Sequence, residues 1–133
     1  MATIEASINT YLAAQSSITA YVGTDIYHGA APDLIETDFI RYQLIMPSNE
    51  PYAFGTTDTA QPEIQFDVFS KSDTNCIAIG NLLASALNRF SGAVGTSGNN
   101  VISSIASGPM VMRDETDEQW WHGIVYWTPE YER

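Results

Sequence analysis

The segment from Gln61 to Gly92 constrains the fold more than any other part of the chain. Glu63-Ile64-Gln65-Phe66-Asp67-Val68-Phe69 turns Ile64, Phe66 and Val68 to one side and Gln65 and Asp67 to the other, the two-residue period of a strand. After Ser70-Lys71-Ser72-Asp73 the period changes. Ile79, Leu82, Leu83, Ala86, Leu87 and Phe90 fall on one helical face, and Ser91-Gly92 closes the helix, with Gly92 as its left-handed stop. A strand running straight into an amphipathic helix predicts a sheet with a helix laid across it. The unit itself holds no nucleophile–base pair and no metal cage.

Flanking patterns complete the architecture. Ile4, Ile8, Tyr11 and Leu12 mark a first helix with Thr3 as its N-cap, broken at Ser16-Ser17 and followed by one more turn through Ile18, Tyr21 and Val22 to Gly23. Ile26-Tyr27-His28 reads as a short strand and Gly29 to Asp38, with Pro32, as a loop. Phe39 to Met46 is apolar on both sides, which predicts a central strand with Ile40, Tyr42, Leu44 and Met46 on one face. Pro47 to Pro62 is the longest irregular stretch and carries Tyr52 and Phe54. It is either an arm reaching a neighbouring chain or a hairpin tip. Gly92 to Asn100 is a turn. It follows a helix, precedes a strand and lacks a Lys-Ser/Thr ending, so its glycines do not make a phosphate loop. Val101 to Ser107 is the next strand, extended by Met110-Val111-Met112 through a bulge after Pro109. An acidic turn, Arg113 to Glu118, leads to the last strand, Gln119 to Thr128, which Pro129 ends. The expected fold class is therefore α+β: two layers, a mostly antiparallel sheet with helices packed on one face, in the order α-β-β-β-α-β-β, forming a single domain over 1–133.

Composition narrows the function. Five Lys and Arg against sixteen Asp and Glu give a formal charge of −11, which argues against binding the phosphates of nucleic acid or the surface of an anionic membrane. Two readings of that charge stand side by side: plain solubility, or a surface that lets a polyanion pass without sticking. Apolar runs fall well short of the ~20 residues that span a bilayer. Met1 to Glu5 lacks the basic and apolar regions of a signal peptide. A lone Cys76 excludes an internal disulfide.

No catalytic, metal or cofactor constellation emerges. His28, His122 and Cys76 match no zinc or calcium spacing, and there is no Gly-x-Ser-x-Gly elbow. Cys76 near a helix start reads as a small buried residue rather than a thiolate, and His122 as a hydrogen-bonded sheet histidine rather than a general base. Asp114, Glu115, Asp117 and Glu118 form the one dense acidic cluster, read as a solvated turn or the acidic rim or lumen of an assembly. In the last strand, Trp121, Val125 and Trp127 share one face, and Trp120, His122, Ile124 and Tyr126 the other. Of the adjacent pair Trp120 and Trp121 only one can enter the main core. The other belongs to a satellite core or a subunit contact.

The ordered set of segments resembles the tail-terminator (tail-completion, minor tail protein U type) family of long-tailed bacteriophages. The resemblance spans nearly the whole chain: the N-terminal helix ending at Val22-Gly23, Ile26-Tyr27 with Gly29-Ala30-Ala31-Pro32, Phe39-Ile40-Arg41-Tyr42-Gln43, Ile64 to Phe69, Ala86-Leu87-Asn88-Arg89-Phe90-Ser91-Gly92 and Gly123-Ile124-Val125-Tyr126-Trp127. This chain departs from the pattern in its acidity and its tryptophan-rich last strand. The resemblance implies a virion structural protein without catalytic residues or cofactor. It implies a ring, typically a hexamer, at the head-proximal end of the tail tube, with the tube protein and a head connector or neck protein as partners. DNA passes through without specific binding, no membrane is involved, and the protein is made in the host bacterial cytoplasm. Tyr52, Phe54, Trp120 and Trp121 are the candidate subunit contacts. Six copies multiply the −11 sixfold, so acidic groups are expected to avoid the contacts and salt to aid assembly. A different neck or head-completion ring, or a small enzyme or ligand-binding domain with a pocket under the long loop, are the alternatives.

Overall fold

A computed structural model describes residues 4–29, 37–46, 59–60, 62–93, 100–113 and 120–132. In chain order these form α1 (Ile4–Ala13), α2 (Ser16–Val22), β1 (Ile26–His28), β2 (Phe39–Met46), β3 (Thr59–Ala60), β4 (Glu63–Ser70), α3 (Asp73–Leu87), β5 (Gly92–Ala93), β6 (Asn100–Arg113) and β7 (Trp121–Glu132). The strands make a single sheet in the order β1-β2-β4-β7-β6-β5, with β3 also paired to β7. Only the β1–β2 pairing is parallel. The α+β class, the antiparallel bias and the helices on one face agree with the sequence reading. Among the described residues no helix is long and apolar enough to cross a membrane.

Alternation sorts the sheet into two faces. Ile40 and Tyr42 of β2, Ile64, Phe66 and Val68 of β4, and Val125 and Trp127 of β7 lie in register and are buried under the helices. The helices add Ile8 and Leu12 from α1, Ile18 and Val22 from α2, and Cys76, Ile79, Leu83 and Leu87 from α3. This single core is what holds a chain of this size folded. The Ser72 side chain caps α3 by accepting from the Asn75 N–H at 3.3 Å. Gly80 lets the helix come down on β6: a Cβ there would lie 2.5 Å from the Pro109 Cβ.

Several boundaries differ from expectation. The first helical stretch breaks at Ala14-Gln15, and Ser16 opens α2 instead of ending α1. The helix α3 stops at Leu87, a turn before Gly92. There the Leu87 carbonyl accepts from Trp127 Nε1 at 3.0 Å and lies 3.0 Å from Ser104 Oγ, while the Arg89 N–H donates to the Ser104 carbonyl at 3.0 Å. Arg89, with φ 59°, is the left-handed residue nearest the helix end, and Gly92, also at positive φ (115°), begins β5. Phe90 keeps its place against the core outside the helix, with its ring 4.7 Å from that of Tyr11. The bulge expected around Pro109 is present as a register shift between Ser107 and Met110, and β6 continues through it to Arg113. Leu44 is exposed rather than buried, next to a register irregularity between Leu44 and Met46.

Pro129 does not end β7. The Ser104 carbonyl and the Ala106 N–H bond to Arg89 and Asn88, away from β7, so the Ser104–Pro129 pair is a non-hydrogen-bonded one and needs no N–H from Pro129. On the other side, β3 continues the register of β4 along β7, which sets Pro62 opposite Pro129. Neither proline has an N–H to leave unpaired. The end of the expected irregular stretch, Thr59–Ala60, is thus a strand. Residues 47–58 and 61, with Tyr52 and Phe54, lie outside the described residues, as do Thr3, 94–99 of the glycine-rich turn, and Asp114, Glu115, Asp117 and Glu118.

Candidate functional site on the open sheet face

The face of the sheet opposite the helices carries the chain's polar constellation. Register brings it together: Arg41 of β2 stands opposite Asp67 of β4, and Phe69 of β4 opposite both Phe39 of β2 and His122 of β7. Asp67 is the centre. Its side chain has no solvent exposure, yet it lies on the face without helices. The His122 Nε2 is 2.7 Å from Asp67 Oδ1, Gln65 Nε2 donates to the same oxygen at 2.8 Å, and Arg41 Nη2 is 3.5 Å from Oδ2.

Burial pushes the Asp67 carboxyl up, but hydrogen bonds from His122 and Gln65, with the charges of His122 and Arg41, outweigh it and hold the group below the ordinary aspartate range. Asp67 is therefore ionised at neutral pH and can only accept, so His122 Nε2 carries the proton of the shared bond. At 3.5 Å the Arg41 contact is one of charge, not an aligned hydrogen bond. Asp67 Oδ2 and Arg41 Nε are both shielded and lack a hydrogen-bond partner.

Aromatic rings roof the cluster. Phe39 and Phe69 stack at 4.8 Å and 15°, Phe69 and His122 at 4.5 Å and 11°, and Trp120 meets Phe39 edge-on at 5.6 Å. Arg41 lies 5.2 Å over Phe69, Lys71 5.3 Å over Trp120, and Arg113 5.2 Å over Trp121. The tryptophan pair divides by face as the alternation predicts: Trp121 packs partly buried against the helix-side core, and Trp120 sits half-buried on the open side.

As a reactive centre the cluster is incomplete. The residues around the pair on this face include Phe39, Arg41, Gln65, Phe69, Met112, Trp120 and Ile124, none of them an activated nucleophile. Cys76 lies on the helix side, fully buried, with Sγ 3.7 Å from the Val68 carbonyl. Burial, then the charges of Asp38 and Asp73, push its thiol up to about 11, the reverse of activation at a helix start. Among the described residues no group of three or more His, Cys, Asp or Glu is placed to hold a metal ion. Among the described residues, open concavities of about 390 Å³ include one lined by Asn9, Ala13, Thr19, Gly23, Thr24 and Ile26 and another by Ser103, Ser104, Ile105, Thr128 and Glu130. Neither includes the Asp67–His122 pair.

Outward from the cluster, the face turns apolar. Ile105, Met110 and Met112 of β6 are 70, 54 and 42% exposed, paired to Thr128, Ile124 and His122 of β7. Sequence reading did not single them out. The sequence hid them, because the register shifts between Val101 and Ser103 and between Ser107 and Met110 break the two-residue period along β6.

No protein-family model matches the chain, and no curated protein matches it. Among solved structures, a chain in the virion of a native gene transfer agent particle is similar, with a TM-score of 0.73 at 16% identity over 97% of this chain and 94% of that one. The two share a fold from end to end.

Proposed function

We propose that this chain is a structural subunit of a phage-like virion and, within it, the tail terminator: a ring at the head-proximal end of the tail tube that ends tube growth and meets the head connector. The observation that carries the reading is the end-to-end likeness to a chain of a gene transfer agent virion, with almost no residue of either chain left over. The order of segments in the sequence supports the finer role. The site chemistry supports a non-enzymatic one: the polar cluster centres on a buried carboxylate already engaged by its neighbours and roofed by aromatic rings, and the sole thiol is held protonated.

A terminator makes a demand that other neck rings do not. Removing it leaves the tube end uncapped, so tube length is no longer fixed. Deleting the gene and measuring tails by electron microscopy is expected to give overlong or headless tails of scattered length. Full-length tails lacking only heads would instead assign the chain to another neck ring, and normal particles would refute the virion role. Assembly that strengthens with salt fits a ring whose carboxylates avoid the contacts; rings that fall apart as salt rises contradict it.

A further inference from the structure

Exposed apolar residues gather at the two opposite edges of the sheet. Among the described residues β1 pairs only with Ile40–Tyr42 of β2, leaving the outer edge of Gln43–Met46 without a strand partner. Its Leu44 and Ile45 are 39 and 40% exposed. Across the sheet, again among the described residues, β5 pairs only with Asn100 and Val101 of β6. Asn88 and Arg89 occupy the Ala106 N–H and the Ser104 carbonyl, and Pro109 has no N–H to offer. What remains is Met110–Arg113, with Met110 and Met112 exposed and Ile105 nearby on the same face. The other exposed large apolar residues, Tyr21 and Ile77, stand singly on helices.

We infer that these two edges are the complementary halves of one contact between copies of the chain: the Met110–Arg113 edge of one copy against the Gln43–Met46 edge of the next. The inference rests on the ring reading and names its contact surfaces. Strand order sets β2 and β6 on opposite sides of β4 and β7, so a contact using both is heterologous and closes only by rotation, as a ring requires. Charge selects the occupant. Two copies of a −11 chain repel, and contact is least opposed where carboxylates are missing. Neither edge contains Asp or Glu, and the only charge in either is Arg113, which lies over Trp121. Open edges are ordinarily blunted by inward charges or lysine; these two are left apolar. A nucleic-acid partner would need clustered cations, which neither edge supplies.

The geometry has a consequence. Gln43 and Leu44 are level, through β4, with Tyr126 and Trp127 of β7, whereas Met110–Arg113 pairs with Trp121–Ile124. The edges thus sit toward opposite ends of the strands, and joining them tilts the strands to the ring axis, as closure of any barrel does.

The test uses the full chain and two double variants, Met110→Glu with Met112→Glu, and Leu44→Glu with Ile45→Glu. Thermal melts confirm folding, since all four positions are exposed. Native mass spectrometry and incorporation into particles read assembly. Each variant alone is expected to lose closed oligomers, with association weakened at least tenfold. A mixture of the two is expected to give one-to-one pairs but no ring, because each keeps one intact edge of opposite kind. Variants that assemble like wild type, or a mixture that yields no pairs, overturn the edge contact while leaving the ring standing. A wild-type chain that never associates, alone or in particles, overturns both.

Discussion

The two faces of this sheet solve the problem of burial differently. Under the helices, Ile64, Phe66, Val68, Val125 and Trp127 are wholly buried by apolar neighbours, and the main polar anchors are the bonds that Trp127 and Ser104 make to Leu87. On the open side, where no second layer is seen among the described residues, Asp67 is just as inaccessible, covered by stacked Phe69, Phe39 and His122, hydrogen-bonded to His122 and paired with the charge of Arg41. One face hides apolar area from water. The other spends its shielding on a charge, which is costly unless that charge is paired. The difference teaches that the open face is specified rather than merely left over: its polar half is locked within the subunit, and its apolar half, on β6, remains available to a neighbour.

Mutations can break this contrast in order of expected effect. Trp127→Ala on the helix face removes the largest buried side chain and one bond to the Leu87 carbonyl. A loss of about 3–5 kcal/mol in urea unfolding is expected, and a loss under 1 kcal/mol would mean that the core is not centred there. Asp67→Ala on the open face should cost about 2 kcal/mol, below the figure of roughly 3–5 for breaking a fully buried pair because Arg41 and His122 are partly exposed. An unchanged unfolding midpoint would make the cluster ornamental.

The same residue gives a pH signature. The folded Asp67 titrates below its unfolded value of about 3.9. Its contribution is therefore complete above about pH 4 and is lost as pH falls through the lowered folded value. Asp67→Asn is expected to flatten that acid limb of the stability curve; an acid limb as steep as wild type would assign the loss to other carboxylates. Gly80→Ala tests the seam between layers. The added Cβ meets Pro109, and about 1–2 kcal/mol of destabilisation is expected from overpacking. A stabilised variant would mean that β6 yields easily. Smallest is Ile105→Ser, at a site 70% exposed, expected to move monomer stability by no more than about 0.5 kcal/mol. A larger drop would show that this apolar half already supports the subunit itself.

Much of this fold was legible because its signals are local. The alternation of Glu63–Phe69 and the helical spacing of Ile79–Leu87 need no partner to be read, and they located β4, α3 and the faces of β7, including the division of Trp120 from Trp121. What failed depended on partners distant in sequence. The helix α3 ends at Leu87 because β6 and β7 take its carbonyl, and Pro129 survives in β7 because Ser104 and Pro62 ask nothing of it. The cluster was half legible: Asp67 pointing away from the core and His122 as a bonded sheet histidine follow from phase. Their meeting with Arg41 depends on register across three strands, which a two-residue period leaves undetermined.

The central claim is that this sheet is one segment of a closed wall at the end of a tail. Cryo-electron microscopy of particles carrying an affinity label on this chain tests it most directly. The account predicts a single closed ring of label at the head-proximal end of the tube, with the β2 edge of each copy against the β6 edge of the next. Label absent from purified particles, or spread along the whole tube, would contradict it.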